Sequence, residues 1–523
     1  MKKLRLIWIV LMAVTFFSCS DSSPTDPDPG NENGEEASDE KQFVWNAMNY
    51  WYYWQGDVTE LGDDYFDNDT DFNDYLKDFA DAEALFESLR HPNDDFSFFI
   101  DDYEEYQDEQ DGIYAALGFN YGFYYKSSQQ EELVGYVRYI IPGSPADDAD
   151  LQRLDLFTKV DGTTITVDNY LDLLTNNSAH DLTLAKIDTS GDGVQYVDDK
   201  TVTVESREVI EDPILTSKVV ETSGVKIGYL MYNSFQTNSH KDLNDVFADF
   251  KNQGVDELVL DLRYNGGGSV ITSQLLTSLI SGLGSSTTFG EFSYNEKRAA
   301  NNNREVFFLD EVPLENEEGE IERDNEGNFV NSEPMNNLSL DNVYVLTSSG
   351  TASASETVIN SLLPHREVTY IGLKTVGKDE GSFTLYDASA PYLDSDDANP
   401  DHKKAIQPIV VKIVNADGDA YPNGFAPASY DPNISGGCPD DPNDNCVNEI
   451  NVDNLLNKPE LGNPEEPLFS RAIDLITGQQ QKQRIDAQKI KMEEVSLPSG
   501  FDTFKPHRQG MHIEPFMMPA DKN

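Results

Sequence analysis

From residue 225 onward two kinds of apolar run alternate along the chain. Short β-branched runs such as Leu258-Val259-Leu260 are followed by longer stretches in which apolar residues recur every three or four positions, the pattern of strands followed by amphipathic helices. It predicts strands at 225–235, 257–263, 343–347 and 368–373, with helices at 240–253, 270–283 and 357–363 between them. Fully apolar strands inside a βα alternation imply a largely parallel sheet covered by helices, and such sheets place ligands beyond the carboxyl ends of their strands. Two segments fall there: Arg263-Tyr264-Asn265-Gly266-Gly267-Gly268 and Ser348-Ser349-Gly350-Thr351-Ala352-Ser353. The polar, Asn/Glu-rich stretch 294–337 interrupts the alternation and reads as an inserted surface loop or a flap over the cleft. A tail, 479–523, is polar and then rich in Pro and Met, and carries no chemical motif.

Upstream the period changes. Residues 41–108 alternate aromatic and acidic positions around helical stretches at 43–54 and 81–90, a small helical N-terminal domain. Residues 109–208 carry short β-rich runs at 116–119, 133–141, 156–160, 163–167 and 201–206, with short helices expected at 147–154 and 167–175, a compact α+β module. In it Leu117-Gly118-Phe119, Ile141-Pro142-Gly143-Ser144-Pro145-Ala146 and Val160-Asp161-Gly162 resemble a PDZ domain. That resemblance implies that the loop of Leu117, Gly118 and Phe119 presents N–H groups to a peptide's C-terminal carboxylate while the peptide adds a strand. Leu154-Asp155-Leu156 departs from the Gly-Asp usual at that turn. The acidic turn Asp188-Thr189-Ser190-Gly191-Asp192-Gly193, with Asp199 after it, echoes an EF-hand loop, but its flanks read as strands, so a hairpin turn is expected.

A chain of 523 residues, 38% of them hydrophobic, is long enough for two or three domains with real cores. Its 95 acidic against 37 basic side chains give a net charge of -58, which repels phosphate backbones and argues against nucleic acid as a partner. Lys2, Lys3 and Arg5 precede an apolar run and then Ser18-Cys19-Ser20-Asp21, an export signal too short for a comfortable membrane span. It resembles the lipobox of bacterial lipoproteins, with Phe16 and Phe17 in place of the commoner residues, which implies that 1–19 is a lipoprotein signal cut just before Cys19, the lipidated first residue of the mature chain. Residues 20–40 then form a tether too polar to order itself. Cys438 and Cys446 bracket a Pro/Asp-rich loop, and in an exported protein they are most simply a disulfide. The seven histidines lack metalloprotease spacing, so no catalytic metal and no cofactor are assigned.

The chemistry gathers around Gly350-Thr351-Ala352-Ser353-Ala354-Ser355-Glu356, followed after the next strand by Lys378 in Val376-Gly377-Lys378-Asp379. Ser353 at a helix N-terminus sits where unpaired N–H groups favour a developing oxyanion, although Ser353 and Glu356 also fit the capping-box pattern and Ser355 is a rival nucleophile by spacing. Together with Asp261-Leu262-Arg263-Tyr264-Asn265-Gly266-Gly267-Gly268, these motifs resemble the C-terminal processing (tail-specific) peptidases of the Ser-Lys type over roughly residues 43–478. The resemblance implies a crotonase/ClpP-like α/β core at 215–478, Ser353 as nucleophile, Lys378 as base, and Ala354 with Gly266 or Gly267 as oxyanion donors. The family often has Gln four residues after the lysine; here Ser382 stands there as an uncertain third member. A lysine serves as base when burial removes its charge. The expectation is an exported, membrane-anchored serine endopeptidase acting on polypeptides, in the outer membrane facing the periplasm or the cell surface. The alternative is an inactive PDZ-containing scaffold lipoprotein, and oligomeric state is left open.

Overall fold

The computed structural model describes residues 37–127, 131–174, 178–190, 193–434, 437–439, 444–479, 494–495 and 511–517. Cys19, the segment before it and most of the expected tether lie outside the described residues.

A five-stranded sheet runs in the order Ile214–Thr222, Val225–Tyr232, Glu257–Asp261, Asn342–Thr347, Glu367–Gly372. The first two strands pair as an antiparallel hairpin, and the other three pairings are parallel. Leu258 and Leu260 face a hydrophobic cluster that includes the helices His240–Gln253, Val270–Ser281 and Ala354–Leu362. Val259 faces the opposite cluster, built on Leu468, Phe469, Ala472 and Ile473 of the helix Pro467–Thr477. Both faces of the strand are therefore covered, which is why it reads as an unbroken apolar run rather than an alternating one. Val270–Ser281 is buried on every side despite five hydroxyl side chains. Thr277, Ser278 and Ser281 donate back to the carbonyls of Ser273, Gln274 and Thr277, which satisfies polar atoms that could not otherwise be buried.

The N-terminal helices Asp39–Trp51, Asp69–Lys77 and Ala82–Leu89 do not close a core of their own. Phe43, Met48, Trp51, Leu85 and Phe86 belong to the same cluster as the central sheet and its helices. The strand Phe98–Ile100 then pairs antiparallel with Ala405–Gln407. The stretch read as an inserted loop is also structured, as the helix Glu296–Asn302 and the strands Arg304–Phe307, Glu311–Pro313 and Ser332–Pro334. Arg304–Phe307 pairs with Thr288–Tyr294, which pairs with Ile409–Val414, and Val306, Phe308, Leu309 and Val312 enter the main core.

The α+β module is an antiparallel sheet in the order Phe119–Tyr125, Leu133–Ile140, Leu156–Val160, His180–Asp188, Gln195–Val204. The expected helix at 147–154 is only Pro145–Asp148, because Asp150 and Leu154 take positive φ and turn the chain out of the helix. Residues 167–174 form successive turns rather than a helix. Gly118 has φ +84, and a Cβ there would stand 2.2 Å from that of Ser144, so the Leu117-Gly118-Phe119 loop closes only on glycine. The acidic turn joins His180–Asp188 to Gln195–Val204, an antiparallel hairpin.

Candidate active site

The site grows from two strand ends. Beyond Glu257–Asp261 the side chain of Arg263 is fully buried and bonded to three carboxylates. Its guanidinium meets Asp261 (Nη2 to Oδ2, 2.8 Å), Glu466 (Nη1 to Oε1, 2.6 Å) and Glu449 (Nη1 to Oε2, 2.8 Å), and Arg153 adds a second cation to Glu449 at 3.0 Å. Burial alone raises the Glu449 carboxyl, but Arg153 and Arg263 overrule it and hold it at about 2. This ionic knot ties the strand end to the α+β module through Arg153 and caps the helix Pro467–Thr477 through Glu466, which accepts from Phe469 N–H.

Asn265 shapes the glycine turn that follows. Its Nδ2 donates to the Tyr232 carbonyl (2.8 Å), its Oδ1 accepts from Gly267 N–H (2.8 Å), and its own carbonyl accepts from Ser355 Oγ (3.0 Å) and Ala352 N–H (3.2 Å). The N–H of Gly267, one of the expected oxyanion donors, is thus engaged within its own turn. Gly267 instead supplies space: at φ +118, a Cβ on it would lie 2.6 Å from Ser353 Cβ and 2.8 Å from Ser353 Oγ.

Ser353 precedes the helix Ala354–Leu362 with φ 64 and ψ −119, a strained conformation for a residue with a side chain. Ser353 and Glu356 take up the capping-box arrangement, but its halves are unequal: Glu356 accepts the Ser353 N–H at 2.9 Å, while the buried Ser353 hydroxyl, turned toward the Glu356 N–H, closes no hydrogen bond among the described residues. The rival Ser355 is committed to the Asn265 carbonyl.

Glu356 joins the two motifs. Its Oε2 accepts from Ser353 N–H and from Lys378 N–H, each at 2.9 Å, and its Oε1 accepts from Gly377 N–H (2.6 Å) and Thr375 Oγ1 (2.5 Å). Burial pushes its carboxyl up to about 7 against the pull of those four donors. One carboxylate oxygen therefore holds the backbones of Ser353 and Lys378 side by side.

Lys378 is buried with its Nζ 4.6 Å from the centre of the Phe96 ring. Burial lowers its ammonium to about 8, while Glu380, Asp94 and Glu356 pull the other way. Lys412 offsets part of that pull by binding Asp379 (3.1 Å) and Glu380. Ser382 lies next in the chain on the strand Glu380–Ser382; its hydroxyl donates to the Met511 carbonyl (3.0 Å) and accepts from Gln407 Nε2 (2.9 Å). Phe96, Gln407 and Glu356 escaped the sequence reading as site residues, as did the tail, which brings Met511–Met517 into the cleft. Leu117 and Phe119 sit in the core of the α+β module, away from these motifs in the fold. Cys438 and Cys446 form a disulfide, with Cα atoms 5.2 Å apart.

A serine at a helix start, a buried lysine whose ammonium is lowered to about 8 and a glycine turn pressed on the serine thus gather at the ends of two neighbouring strands. Residues 226–409 match peptidase family S41, and residues 39–98 match the peptidase S41 N-terminal domain. The chain therefore carries the domains of peptidase family S41, and its relatives are C-terminal processing proteases. It is 23% identical over 344 residues to the carboxyl-terminal-processing protease of Synechocystis sp., covering 65% of this chain and 64% of that one. It is 24% identical over 426 residues to the carboxy-terminal processing protease CtpA of Bacillus subtilis, covering 78% of this chain and 77% of that one. A 135-residue match to the Picosynechococcus sp. carboxyl-terminal-processing protease, 30% identical, spans 30% of that protein. A Bacteroides fragilis crystal structure assigned to the S41 proteases superposes with a TM-score of 0.59 at 25% identity, over 83% of this chain and 97% of that one.

Proposed function

We propose that this chain is a serine endopeptidase that cleaves polypeptides through Ser353 and Lys378, exported and held at a membrane through Cys19. The observation that carries the reading is the Ser353 hydroxyl, buried and without a hydrogen-bond partner among the described residues, whose backbone shares one Glu356 oxygen with the backbone of Lys378. In the neutral form Lys378 Nζ accepts the hydroxyl proton as Ser353 Oγ bonds to the scissile carbonyl carbon. The negative charge moves to the carbonyl oxygen, received by N–H groups of Ala354, at the positive end of its helix, and Gly266. Collapse of this adduct breaks the C–N bond, and the leaving amine takes the proton from Lys378. Water then attacks the acyl ester with Lys378 again as base, releasing the new carboxyl end and restoring Ser353. Substrate C-termini dock on the Leu117-Gly118-Phe119 loop, whose fold around Gly118 supports a PDZ-type role.

The test is hydrolysis of casein by the parent, Ser353→Ala and Lys378→Ala proteins. Cleavage by the parent alone is expected; equal cleavage by all three rejects the dyad. Mass spectrometry of the mature N-terminus tests the anchor, and a start elsewhere than a lipidated Cys19 removes it.

A further inference from the structure

Between the glycine turn and the lysine turn lies an extended piece of the chain's own C-terminal region. On one side His512 N–H donates to the Gly268 carbonyl (3.2 Å) and Val270 N–H donates to the His512 carbonyl (3.0 Å). On the other, Ser382 N–H donates to the Met511 carbonyl (2.8 Å) and Ile513 N–H donates to the Ser382 carbonyl (3.0 Å). His512 is thereby bridged in parallel to Ser269 and to Ser382 at once. Gly268 adjoins the glycine that packs on Ser353, and Ser382 follows shortly after Lys378, so one strand spans the two halves of the site.

The side chains alternate into recesses on either side. Met511 is wholly buried, and its sulfur accepts from Thr357 Oγ1 at 3.2 Å. Thr357 lies one turn along the helix that begins after Ser353, and its hydroxyl also meets that of Tyr421 at 2.8 Å. Ile513 is buried over Gly381, where a Cβ would come within 3.1 Å of Ile513 Cδ1. The charge of Lys378 acts on the buried His512 imidazole, whose Nε2 lies 3.5 Å from Glu514 Oε1, and the Ser269 hydroxyl donates to Glu514.

Backbone bonding along an extended segment, with alternate side chains in recesses, is how peptides are held by strand addition. Met511 and Ile513 pack into the main hydrophobic cluster, whereas His512 Nδ1 and Glu514 Oε2 between and beside them are buried without hydrogen-bond partners among the described residues, a cost that a strand shaped only for stability avoids. We propose that Met511–Glu514 lies in the path of the polypeptide substrate, so that this C-terminal segment competes in cis for the cleft. The recess at Thr357 and Tyr421 then selects an unbranched apolar side chain such as methionine. The proposal rests on the peptidase reading above. A tethered competitor acts at high effective concentration and raises KM with little change in kcat.

The test compares the full chain with a chain ending at Gly510 and with Ile513→Pro, which removes the N–H given to Ser382 without shortening the tail. Ending at Gly510 is expected to raise kcat/KM on casein at least about tenfold through KM, and Ile513→Pro to raise it by a smaller factor. In a Ser353→Ala background, a fluorescein-labelled peptide of residues 509–517 is expected to bind the shortened protein at least about tenfold more tightly than the full chain. Unchanged kcat/KM and peptide binding in both variants overturn the proposal. So does loss of both activity and melting temperature in both, the result expected of a strand that holds the fold. Because the binding arm needs no turnover, a parent that hydrolyses nothing counts against the peptidase reading alone.

Discussion

The Arg263 knot and the Ser353–Lys378 site are both withdrawn from water, yet burial has opposite results in them. In the knot every charge meets an opposite one, and Glu449 stays ionised down to about pH 2 against the pull of burial. In the site the lysine faces the ring of Phe96 and burial dominates, so its charge is lost near pH 8. The carboxylate beside it, Glu356, is met by four uncharged donors and no guanidinium, and rises to about 7. Ionic pairing that outweighs burial makes an inert strut, and burial that outweighs the nearby opposite charges makes a group that exchanges a proton in the physiological range.

The sharpest way to break this contrast is Lys378→Met, which keeps the buried volume and deletes the proposed base. Casein hydrolysis is expected to fall on the order of 10³-fold or more with the melting temperature held or raised, since a buried amine is removed. Lys378→Arg is expected to be equally inactive, because a guanidinium does not give up its proton. In the knot the expectation reverses: Arg263→Met strands Asp261, leaves Glu449 and Glu466 to share Arg153, and costs about 3–5 kcal/mol in urea unfolding. A loss below about 1 kcal/mol would show that the knot is dispensable. The same pairing gives the parent an acid limit. Glu449 has a folded pKa below its unfolded value, so its contribution is present above the ordinary carboxylate range and lost as pH falls toward about 2.

Glu356→Gln keeps the shape but turns one acceptor oxygen into a donor that faces N–H groups. The expected result is a fall in kcat of about 10–100-fold with KM unchanged. The pH profile sharpens the account of the lysine. In the proposed mechanism the neutral amine is the active form, so kcat/KM should rise about tenfold per unit of pH and level off above about 8. Phe96→Ala admits water, restores part of the ammonium's hydration and moves that limb to higher pH; an unmoved limb would remove Phe96 from the account. The smallest effect belongs to Ser355→Ala, which loses one bond to the Asn265 carbonyl, costs about 0.5–1.5 kcal/mol of stability and leaves turnover within a few-fold.

The parallel sheet was legible because strands such as Leu258-Val259-Leu260 are covered on both faces and therefore carry no polar interruption. The stretch 294–337 was misread because Val306, Phe308, Leu309 and Val312 reach the core from among charged neighbours, with no period to reveal them. Ser353, Lys378 and the glycine turn were visible as motifs, since their spacing is local. Phe96 and Gln407 were not, because Phe98–Ile100 and Ala405–Gln407 meet only through an antiparallel pairing across most of the chain. Glu356 was read as a capping residue, and it does take up the capping-box arrangement; its hold on Lys378 N–H depends on the turn at Gly377, which helix periodicity does not report.

That same pairing sets the order of events at synthesis. Phe96 leaves the ribosome early, whereas Lys378 and the strand Ala405–Gln407 that fixes Phe98–Ile100 emerge only after most of the chain has been made. Until the two ends dock, the lysine stands in water, protonated at neutral pH and unable to draw a proton from serine. On the mechanism proposed above, nascent chains are thus chemically silent toward one another and toward their neighbours, and competence waits on this long-range closure.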